Sequence, residues 1–522
     1  MKKVLRYNIG DKVVEREVQH IPIRYIFAWG LTLFEFLAII VIVVGACYHI
    51  PYFYIAAWLT QVGVVIKIIS SDENPEYKVP WLFFVLVVPI VGFMSYFMFR
   101  TRKLKKRYVK KLKDIYSDRY NKDDSEILLE LKQKDTHIYN QANLLCKLGG
   151  TYVFKNTKQN YFSLGEDMYK SLIEDLKQAK EFIFMEYFII EDGKFWNSVL
   201  EILKQKAKEG VEVKIIYDDI GCMLTLPGNY CEQLKKFNID AVPFAKMRGD
   251  ITGEFNNRSH RKITIIDGVI SYTGGVNIAD EYINEFNKYG HWKDVGIRLE
   301  GEATKEFLML FLVDFEVNSK TPLLDRKKYF KETPTSTTEN GYLIPFGDGP
   351  KPLYKRRVAR SIIQTMIDGA TKSVCITTPY LIIDNDLCTS LENAAIRGVD
   401  VKIITPHIPD KKIVFGMTRS FYPRLREAGV QIYEYEPGFI HAKSYLIDDK
   451  VCLLGTINMD YRSLVHHFEN GVWFYGGECV KALKKDFEKT LTKCIRIDKN
   501  TIKNNFLQNV VCAVTRLIAP LL

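Results

Sequence analysis

The sequence predicts an α/β protein in which two duplicated mixed-sheet domains share one active site and follow a helical membrane anchor. Three observations support this fold class: an apolar N-terminal segment, strands and helices that alternate twice in matching order, and a polar motif present once in each copy. The chain has 522 residues and a formal net charge of +11, from 73 Lys and Arg against 62 Asp and Glu. This length suggests two or three domains, and 47% hydrophobic residues exclude a mostly disordered chain.

Residues 1–115 are predicted to form the membrane anchor. Its hydrophobic segments lie at about 26–46, 53–69 and 81–99. The first and third segments are suited to span a bilayer, whereas the second is shorter and contains Gln61 and Lys67. Basic residues flank both ends of the anchor, including the run at 100–113, which also suits contact with anionic lipids.

The positive-inside rule places both basic flanks in the cytoplasm and therefore favours an even number of crossings. We interpret this as two effective spans, with the second segment re-entrant or interfacial. The alternative is three full spans with one end outside. Either way, we expect a multi-pass protein of the cell membrane, and the first interpretation places the domains after the anchor in the cytoplasm.

Residues 150–332 and 343–500 are predicted to be two copies of one domain, joined by a polar linker at 333–342 and followed by an amphipathic tail at 501–522. Each copy contains an apolar strand, a helix, a glycine and then the sequence Val-Glu/Asp-Val-Lys-Ile-Ile, which begins at Val211 and at Val399. Strands that alternate with helices in this way predict parallel pairing within a sheet.

The strongest repeat is a motif of the form His-x-Lys-x4-Asp, followed by an Asn seventeen residues after the His. Its residues are His260, Lys262, Asp267 and Asn277 in the first copy, and His441, Lys443, Asp448 and Asn458 in the second. Two copies with identical offsets in matching halves are not accidental. We therefore take the six His, Lys and Asp residues as the catalytic set and the two Asn residues as phosphate ligands.

Each motif is predicted to begin a β-hairpin whose turn contains the motif Asp. Residues two apart in a strand share a face, so the His and Lys of each motif point the same way. The Asp does not share that face, and we expect its role within the set to be mainly structural. Asp218 and Asp219 resemble a carboxylate pair, but they are expected to end a strand and shape the cleft.

Two imidazoles, two ammonium groups and two amides suit the chemistry of a phosphodiester. The Lys and Asn side chains bind its oxygens and the charge that develops on them. One neutral His attacks phosphorus, and the other protonates the leaving alkoxide and then takes a proton from the acceptor hydroxyl. Which His is the nucleophile stays open. This chemistry requires neither a metal nor a cofactor, and we predict none.

The duplicated motif resembles that of the phospholipase D superfamily, and further segments are similar to those of bacterial cardiolipin synthases. These segments are 291–294, 349–350, 378–380, 419–422, 435–443, 458–463 and 468–469. The sequence Trp-Lys-Asp at 292–294 departs from the usual Trp-Arg-Asp, and the second hydrophobic segment is an addition to the usual anchor.

The resemblance implies that two phosphatidylglycerol molecules become cardiolipin and glycerol through a phospho-histidine, with a lipid hydroxyl as acceptor. Phosphatidylglycerol and other anionic phospholipids are then the expected partners. The resemblance also implies that a carboxylate after each motif supports the His of that motif. Glu469 matches this position in the second half, and Asp294 is the candidate in the first.

Two other functions are alternatives to the transferase. A phosphodiesterase of the same superfamily would use water on lipid or nucleic acid. The net charge of +11 permits nucleic acid, but much of the excess lies beside the anchor, so we expect no nucleic-acid partner. A catalytically inactive lipid-binding scaffold is disfavoured because both motifs are intact. The oligomeric state is left open.

Overall fold

The computed structural model describes residues 2–9, 12–19, 23–100, 109–110, 122–247, 256–319, 325–331, 341–351, 353–354, 356–498, 514–517 and 519. Most of the predicted linker (333–342), of the tail (501–522) and of the basic run at 100–113 lies outside these residues. The chain divides into two compact units. One contains the anchor segment His20–Lys103, and the other contains both halves of the duplicated region.

The anchor segment is helical throughout most of its length. Its helices are Ile23–His49, Pro51–Ile69, Pro75–Val87 and Pro89–Phe99. Among the described residues, one helix is long and apolar enough to cross a membrane, with its apolar window at Trp29–Ala46. Ile55–Ile69 is a shorter apolar helical stretch.

The third hydrophobic segment does not form the single continuous helix that we expected over 81–99. It is divided into helices of 13 and 11 residues at Val88, whose backbone angles (φ −128°, ψ 77°) are not helical. Pro89 explains the break, because proline has no N–H and forces the preceding residue out of the helical region. Neither helix approaches the roughly 20 residues that one span requires.

Gln61, the polar residue that weakened the second segment, has a structural role at this break. Its side-chain amide donates a hydrogen bond of 2.9 Å to the carbonyl oxygen of Val85. That carbonyl would accept from the N–H four residues later, but that residue is Pro89. Gln61 therefore replaces the missing backbone donor, which matters most where water is excluded.

Within the part of the chain that the structure describes, nineteen strands form the sheets, numbered β1 to β19. They are β1 Lys2–Ile9, β2 Lys12–Gln19, β3 Lys158–Phe162, β4 Phe182–Tyr187, β5 Glu212–Asp218, β6 Ile239–Phe244, β7 Lys262–Ile266, β8 Ile270–Gly274, β9 Gly296–Glu300, β10 Tyr342–Asp348, β11 Ser373–Thr377, β12 Leu381–Ile382, β13 Asp400–Pro406, β14 Gln431–Tyr435, β15 Ser444–Ile447, β16 Val451–Gly455, β17 Met459–Asp460, β18 Glu469–Tyr475 and β19 Cys494–Arg496. β1 pairs with β2, and β12 pairs with β17, in two small separate sheets.

The helices outside the anchor alternate with these strands. They are Ser125–Lys134, Thr136–Gly149, Gly165–Gln178, Lys194–Lys208, Tyr230–Lys235, Thr304–Asn318, Val358–Asp368, Asn385–Ile396, Lys412–Glu427 and Gly477–Leu491. Among the described residues, short 3₁₀ turns lie at Asp280–Ile283 and Lys327–Tyr329, and a π-helical turn lies at Arg462–His466.

The two large sheets confirm the duplication. The first has seven strands in the order β3-β9-β8-β7-β4-β5-β6, and the second has eight in the order β10-β18-β16-β15-β11-β13-β14-β19. The orders match strand for strand, and β19 is an addition at one edge. β4-β5-β6 and β11-β13-β14 are parallel, while the motif hairpins pair antiparallel, so each sheet is mixed. The domain boundaries at 150–332 and 343–500 stay a prediction.

One hydrophobic core joins the two halves. It includes Phe184 and Ile263 of the first sheet and Leu454 and Val472 of the second. The helix Thr304–Asn318 contributes to the same core and is buried along most of its length. Burial on this scale is the dominant favourable contribution to folding, and here it also sets the position of one motif relative to the other.

Candidate active site

The two motif hairpins have the geometry that their sequences predict. Each turns through residues with left-handed backbone angles, φ 53° at Asp267 and φ 53° at Asp448. The Asp267 carboxylate accepts hydrogen bonds from the backbone N–H groups of residues 180, 181 and 182, and Asp448 accepts from those of residues 371, 372 and 373. The structure therefore places both Asp carboxylates at the turn, where they tie the hairpin to the start of β4 or β11.

The backbones of the two halves cross beside the motif histidines. The N–H of His260 donates to the carbonyl oxygen of Phe468 in the second half at 2.8 Å. The N–H of His441 donates to the carbonyl oxygen of Lys293 in the first half at 2.7 Å. These bonds bring each motif against the segment that carries the other half's carboxylate.

Each motif histidine is consequently paired with the carboxylate of the opposite half. His260 Nδ1 lies 3.0 Å from both carboxylate oxygens of Glu469, and His441 Nδ1 lies 2.6 Å from Asp294 Oδ2. Both carboxylates are fully buried. The expectation that each acid supports the His of its own half is wrong. The reason is the backbone crossing, because Glu469 and Asp294 directly follow the residues that bond to the opposite motif.

Neighbouring donors hold the two carboxylates differently. The hydroxyl of Thr456 donates to Glu469 Oε2, and the backbone N–H of Val295 donates to Asp294 Oδ1 at 2.8 Å. A carboxylate at Nδ1 favours the tautomer that carries its proton there. Nε2 of each imidazole is then left with the lone pair that a nucleophile or base requires.

The motif lysines share the buried site with the histidines. Lys262 Nζ donates to the carbonyl oxygen of His260 at 2.7 Å, and Lys443 Nζ donates to that of His441. Burial lowers the pKa of Lys262 to about 7 and the pKa of Lys443 to about 8. Burial also lowers the pKa of His260 and His441 well below the usual value, and the lysine charges lower both further.

The two motif asparagines already make protein hydrogen bonds. Asn277 accepts from the N–H of Ile189 at 3.1 Å and donates to the Tyr282 hydroxyl at 2.7 Å. Asn458 Nδ2 donates to Asp460 Oδ2 at 3.2 Å, and its buried Oδ1 lacks a hydrogen-bond partner within the described part of the chain. Each amide nitrogen retains one N–H, so binding of phosphate by Asn277 and Asn458 stays a prediction.

Sequence reasoning missed Arg258, which stands just before the first motif, two residues ahead of His260. Its guanidinium donates to both carboxylate oxygens of Asp218 at 2.9 to 3.0 Å, and both side chains are buried. Asp218 also accepts from the N–H of Ser259, the residue before His260. Asp218 thus ends β5 and anchors the motif, in keeping with its predicted place. The only signal for Arg258 in the sequence was that a basic residue stands two positions before the motif His.

The donor atoms of His260, His467 and Glu469 lie within 4.8 Å of one another, a spacing that could hold a metal ion. Two His and one carboxylate are a common ligand set for zinc. The set overlaps the His260–Glu469 pair, so a metal there would occupy the imidazole that the phosphodiester chemistry uses. The residues therefore fit inhibition by a metal better than catalysis through one.

The position of Asp294 gives a first testable prediction. A Cβ at Gly275 would lie 2.0 Å from Asp294 Oδ1. Gly275→Ala should displace this carboxylate from His441 and lower turnover by about 10- to 100-fold, the usual cost of disturbing a group that orients a reactive one. Gly416→Ala is the control, because nothing lies within 4 Å of a Cβ at that helical position. Equal activity of the two variants would contradict the prediction.

The family model described as "Cardiolipin synthase, PLD-like domain" matches residues 172–288 and 363–491, and a phospholipase D-nuclease N-terminal model matches 61–100. An uncharacterized Streptococcus mutans protein is 38% identical over 468 residues, covering 88% of this chain and all of that protein. The cardiolipin synthase of Alkalihalophilus pseudofirmus is 33% identical over 468 residues, covering 88% of this chain and 92% of that protein.

A solved structure shows the same fold. The phosphatidylserine synthase of Haemophilus influenzae superposes with a TM-score of 0.56 at 14% identity, covering 73% of this chain and all of that chain. Duplicated sheets that bring two His-x-Lys motifs to one site define an enzyme of the phospholipase D superfamily. Within it, the chain belongs to the cardiolipin synthase family, whose members are membrane enzymes with phospholipid phosphatidyltransferase activity.

Proposed function

We propose that this enzyme condenses two phosphatidylglycerol molecules into cardiolipin and glycerol through a phospho-histidine intermediate. The observation that carries the proposal is the pair of crossed His–carboxylate contacts, His260 with Glu469 and His441 with Asp294, in one buried site. Two supported imidazoles are what a two-step displacement at phosphorus requires: one as nucleophile, one as acid and then base.

In the first step, Nε2 of a neutral His attacks the phosphorus of phosphatidylglycerol. A P–N bond forms, the P–O bond to glycerol breaks, and the second, protonated His gives its proton to the leaving oxygen. In the second step, the hydroxyl of another phosphatidylglycerol gives its proton to that His, its oxygen attacks phosphorus, and the P–N bond breaks. Both histidines return to their starting states. The carboxylates stabilise the imidazolium charge, and the ammonium groups stabilise charge on the phosphoryl oxygens.

The surroundings of the histidines favour a lipid acceptor over water. His260 and His441 are each 7% exposed. The ring of Phe188 lies 5.3 Å from that of His260, and the rings of Tyr282 and Trp292 lie 5.4 and 5.3 Å from that of His441. An apolar lining of this kind limits the water that could hydrolyse the intermediate.

We keep the membrane arrangement as part of the proposal: a multi-pass anchor with the catalytic domains in the cytoplasm and no nucleic-acid partner. The basic residues on both sides of the anchor support this orientation. The short helices Pro75–Val87 and Pro89–Phe99 support a re-entrant hairpin, but in the third segment and not in the second. The test adds one cysteine, at residue 3 or at residue 110, to a variant whose ten native cysteines are replaced by serine, and treats intact cells with an impermeant thiol reagent. Labelling at either position would contradict the proposed arrangement.

Purified protein in phosphatidylglycerol vesicles, with EDTA and no added metal, tests the reaction. Lipid products and released glycerol are followed together. Cardiolipin and glycerol in equal amounts would support the proposal. Phosphatidic acid and glycerol would identify water as the acceptor and overturn it, while loss of all products with EDTA would overturn the metal-free route.

The lysines predict a specific dependence on pH. Burial lowers the pKa of Lys262 to about 7 and the pKa of Lys443 to about 8. An anionic phosphodiester binds better to the protonated lysines. At a pH above their pKa values, substrate binding must therefore be accompanied by uptake of protons. The KM for phosphatidylglycerol should therefore rise above about pH 7 by up to roughly tenfold per pH unit for each proton taken up. Measurement of KM between pH 6 and 9 at constant ionic strength checks this, and a constant KM would refute it.

A further inference from the structure

The proposed condensation brings two anionic phosphodiesters into one buried site. The product carries two phosphates joined by a single glycerol, so the phosphodiester of the acceptor lipid lies only a few bonds from the reacting phosphorus when its hydroxyl attacks. A buried anion needs a cation as its partner. Lys262 and Lys443 lie with the motif histidines and serve the reacting phosphodiester. The second phosphodiester therefore requires another cation near the site.

Arg462 is a cation whose hydrogen-bond donors are not used. It stands four positions after the motif Asn458 and begins the π-helical turn Arg462–His466, a type of turn that is frequent at functional sites. Its Nε atom is buried, and within the described part of the chain the guanidinium makes neither a hydrogen bond nor an ion pair. A guanidinium has five N–H donors, and donors that are buried without a partner cost free energy. The unpaired group therefore indicates an anionic ligand.

The two carboxylates that act on Arg462 through their charge, Asp218 and Asp460, bond to other groups. Asp218 accepts three hydrogen bonds of 2.9 to 3.0 Å from the guanidinium of Arg258. Asp460 accepts from the backbone N–H of Ser463 at 2.8 Å. The guanidinium of Arg462 thus keeps the paired N–H groups that match two phosphate oxygens.

The backbone contacts of Arg462 place it beside the reacting histidines. Its carbonyl oxygen accepts from the N–H of His467 at 2.9 Å, and the ring of His467 lies 5.5 Å from that of His260. Asp218, which acts on Arg462 through its charge, also accepts from the N–H of Ser259, the residue before His260, at 3.1 Å. Arg462 therefore belongs to the His260 side of the site, next to the motif residues and separate from them.

The first half carries an acid at the equivalent position. Glu281 stands four residues after Asn277, in the 3₁₀ turn Asp280–Ile283, as Arg462 stands four residues after Asn458. A carboxylate repels a phosphodiester, whereas a guanidinium attracts it. The two half-sites match in their motif residues, but only the half with Arg462 is suited to a second anion at this position.

We propose that Arg462 binds the phosphodiester of the acceptor lipid while the motif lysines bind the phosphodiester that reacts. The guanidinium donates to two oxygens of the acceptor phosphate, and this contact holds the hydroxyl of the acceptor towards phosphorus. Water and free glycerol have no phosphate and gain nothing from the contact. Arg462 is thus a specificity residue that favours an anionic lipid over water as the acceptor. This inference rests on the proposed function, because a hydrolase has no second phosphodiester to bind.

The test compares two reactions of the same phospho-histidine, with full-length enzyme in phosphatidylglycerol vesicles. Cardiolipin formation uses a charged acceptor, and incorporation of radiolabelled glycerol into phosphatidylglycerol uses an uncharged one. Arg462→Gln should lower cardiolipin formation about 10- to 100-fold, the range for loss of a hydrogen bond to a charged group, and should not lower glycerol incorporation. Arg462→Lys, which keeps the charge, should lose less cardiolipin formation. Arg496→Gln is the control and should change neither reaction, because that side chain is 60% exposed on the edge strand β19.

Equal losses in both reactions would overturn the proposal, because a residue with only a structural role affects both, and so would the absence of any loss. If Arg462→Gln does not fold, as judged by thermal melting, Arg462→Lys decides in its place: a smaller but selective loss of cardiolipin formation supports the proposal, and equal losses overturn it. Phosphatidic acid in place of cardiolipin from the native enzyme would defeat the proposed function itself. Cardiolipin from the native enzyme together with an unselective variant would defeat only the role of Arg462.

Discussion

Replacement of either His260 or His441 by alanine is expected to lower cardiolipin formation by at least about 10⁴-fold, the loss typical for one member of a catalytic group that acts as a unit. The structure explains why neither can substitute for the other. Each imidazole is held by its own buried carboxylate, and the two lie in different halves of the site. The rate of cardiolipin formation by the variant with both histidines replaced should be lower than that of either single variant by only a small factor.

Cardiolipin formation from phosphatidylglycerol vesicles measures this effect, and sedimentation with the same vesicles checks that membrane binding persists. His137→Ala is the matched control, because that side chain is exposed on the helix Thr136–Gly149. Quenching in alkaline detergent, which preserves the acid-labile P–N bond, separates the roles when the enzyme has been incubated with phosphatidylglycerol radiolabelled in its phosphatidyl group. Only the variant that retains the nucleophile can trap labelled phosphatidyl groups. Appreciable turnover by either single variant would contradict the two-histidine mechanism.

The second large effect is expected from the crossed carboxylates. Asp294→Asn should lower turnover by about 10² to 10⁴-fold, because an amide that replaces the carboxylate no longer stabilises an imidazolium and can favour the wrong tautomer. Glu469→Gln should have an effect of the same order on the other imidazole. The crossed contacts also predict which imidazole is affected by each substitution. Asp294→Asn should affect the imidazole of His441, and Glu469→Gln should affect that of His260.

Nitrogen NMR of enzyme labelled at histidine measures that response directly. Signals of His441 and His260 are assigned from the alanine variants, and each carboxylate variant serves as the control for the other. If Asp294→Asn shifted the signals of His260 and left those of His441 in place, the carboxylates would act within their own halves. The crossed geometry would then be refuted.

Much of the site is local in sequence, and local features are predictable. The motif spacing predicted Asp267 at a turn, and this is confirmed. The predicted strand face shared by His260 and Lys262 is not, because β7 begins at Lys262 and leaves His260 outside the strand. The strand orders of the two sheets match because both copies carry the same pattern of elements. The carboxylates Glu469 and Asp294 were found by resemblance, although their partners were assigned the wrong way round.

The sequence by itself determined the duplication, the mixed α/β class and the motif residues, since these depend on composition, alternation and spacing along the chain. Only the tertiary structure decided which carboxylate meets which histidine, because the backbones of residues 260 and 441 pair with segments far away in the sequence. The same holds for Gln61 and Val85, where a donor from one helix replaces the N–H that Pro89 lacks. Contacts between distant segments are set by how the elements pack, and no local pattern records that packing.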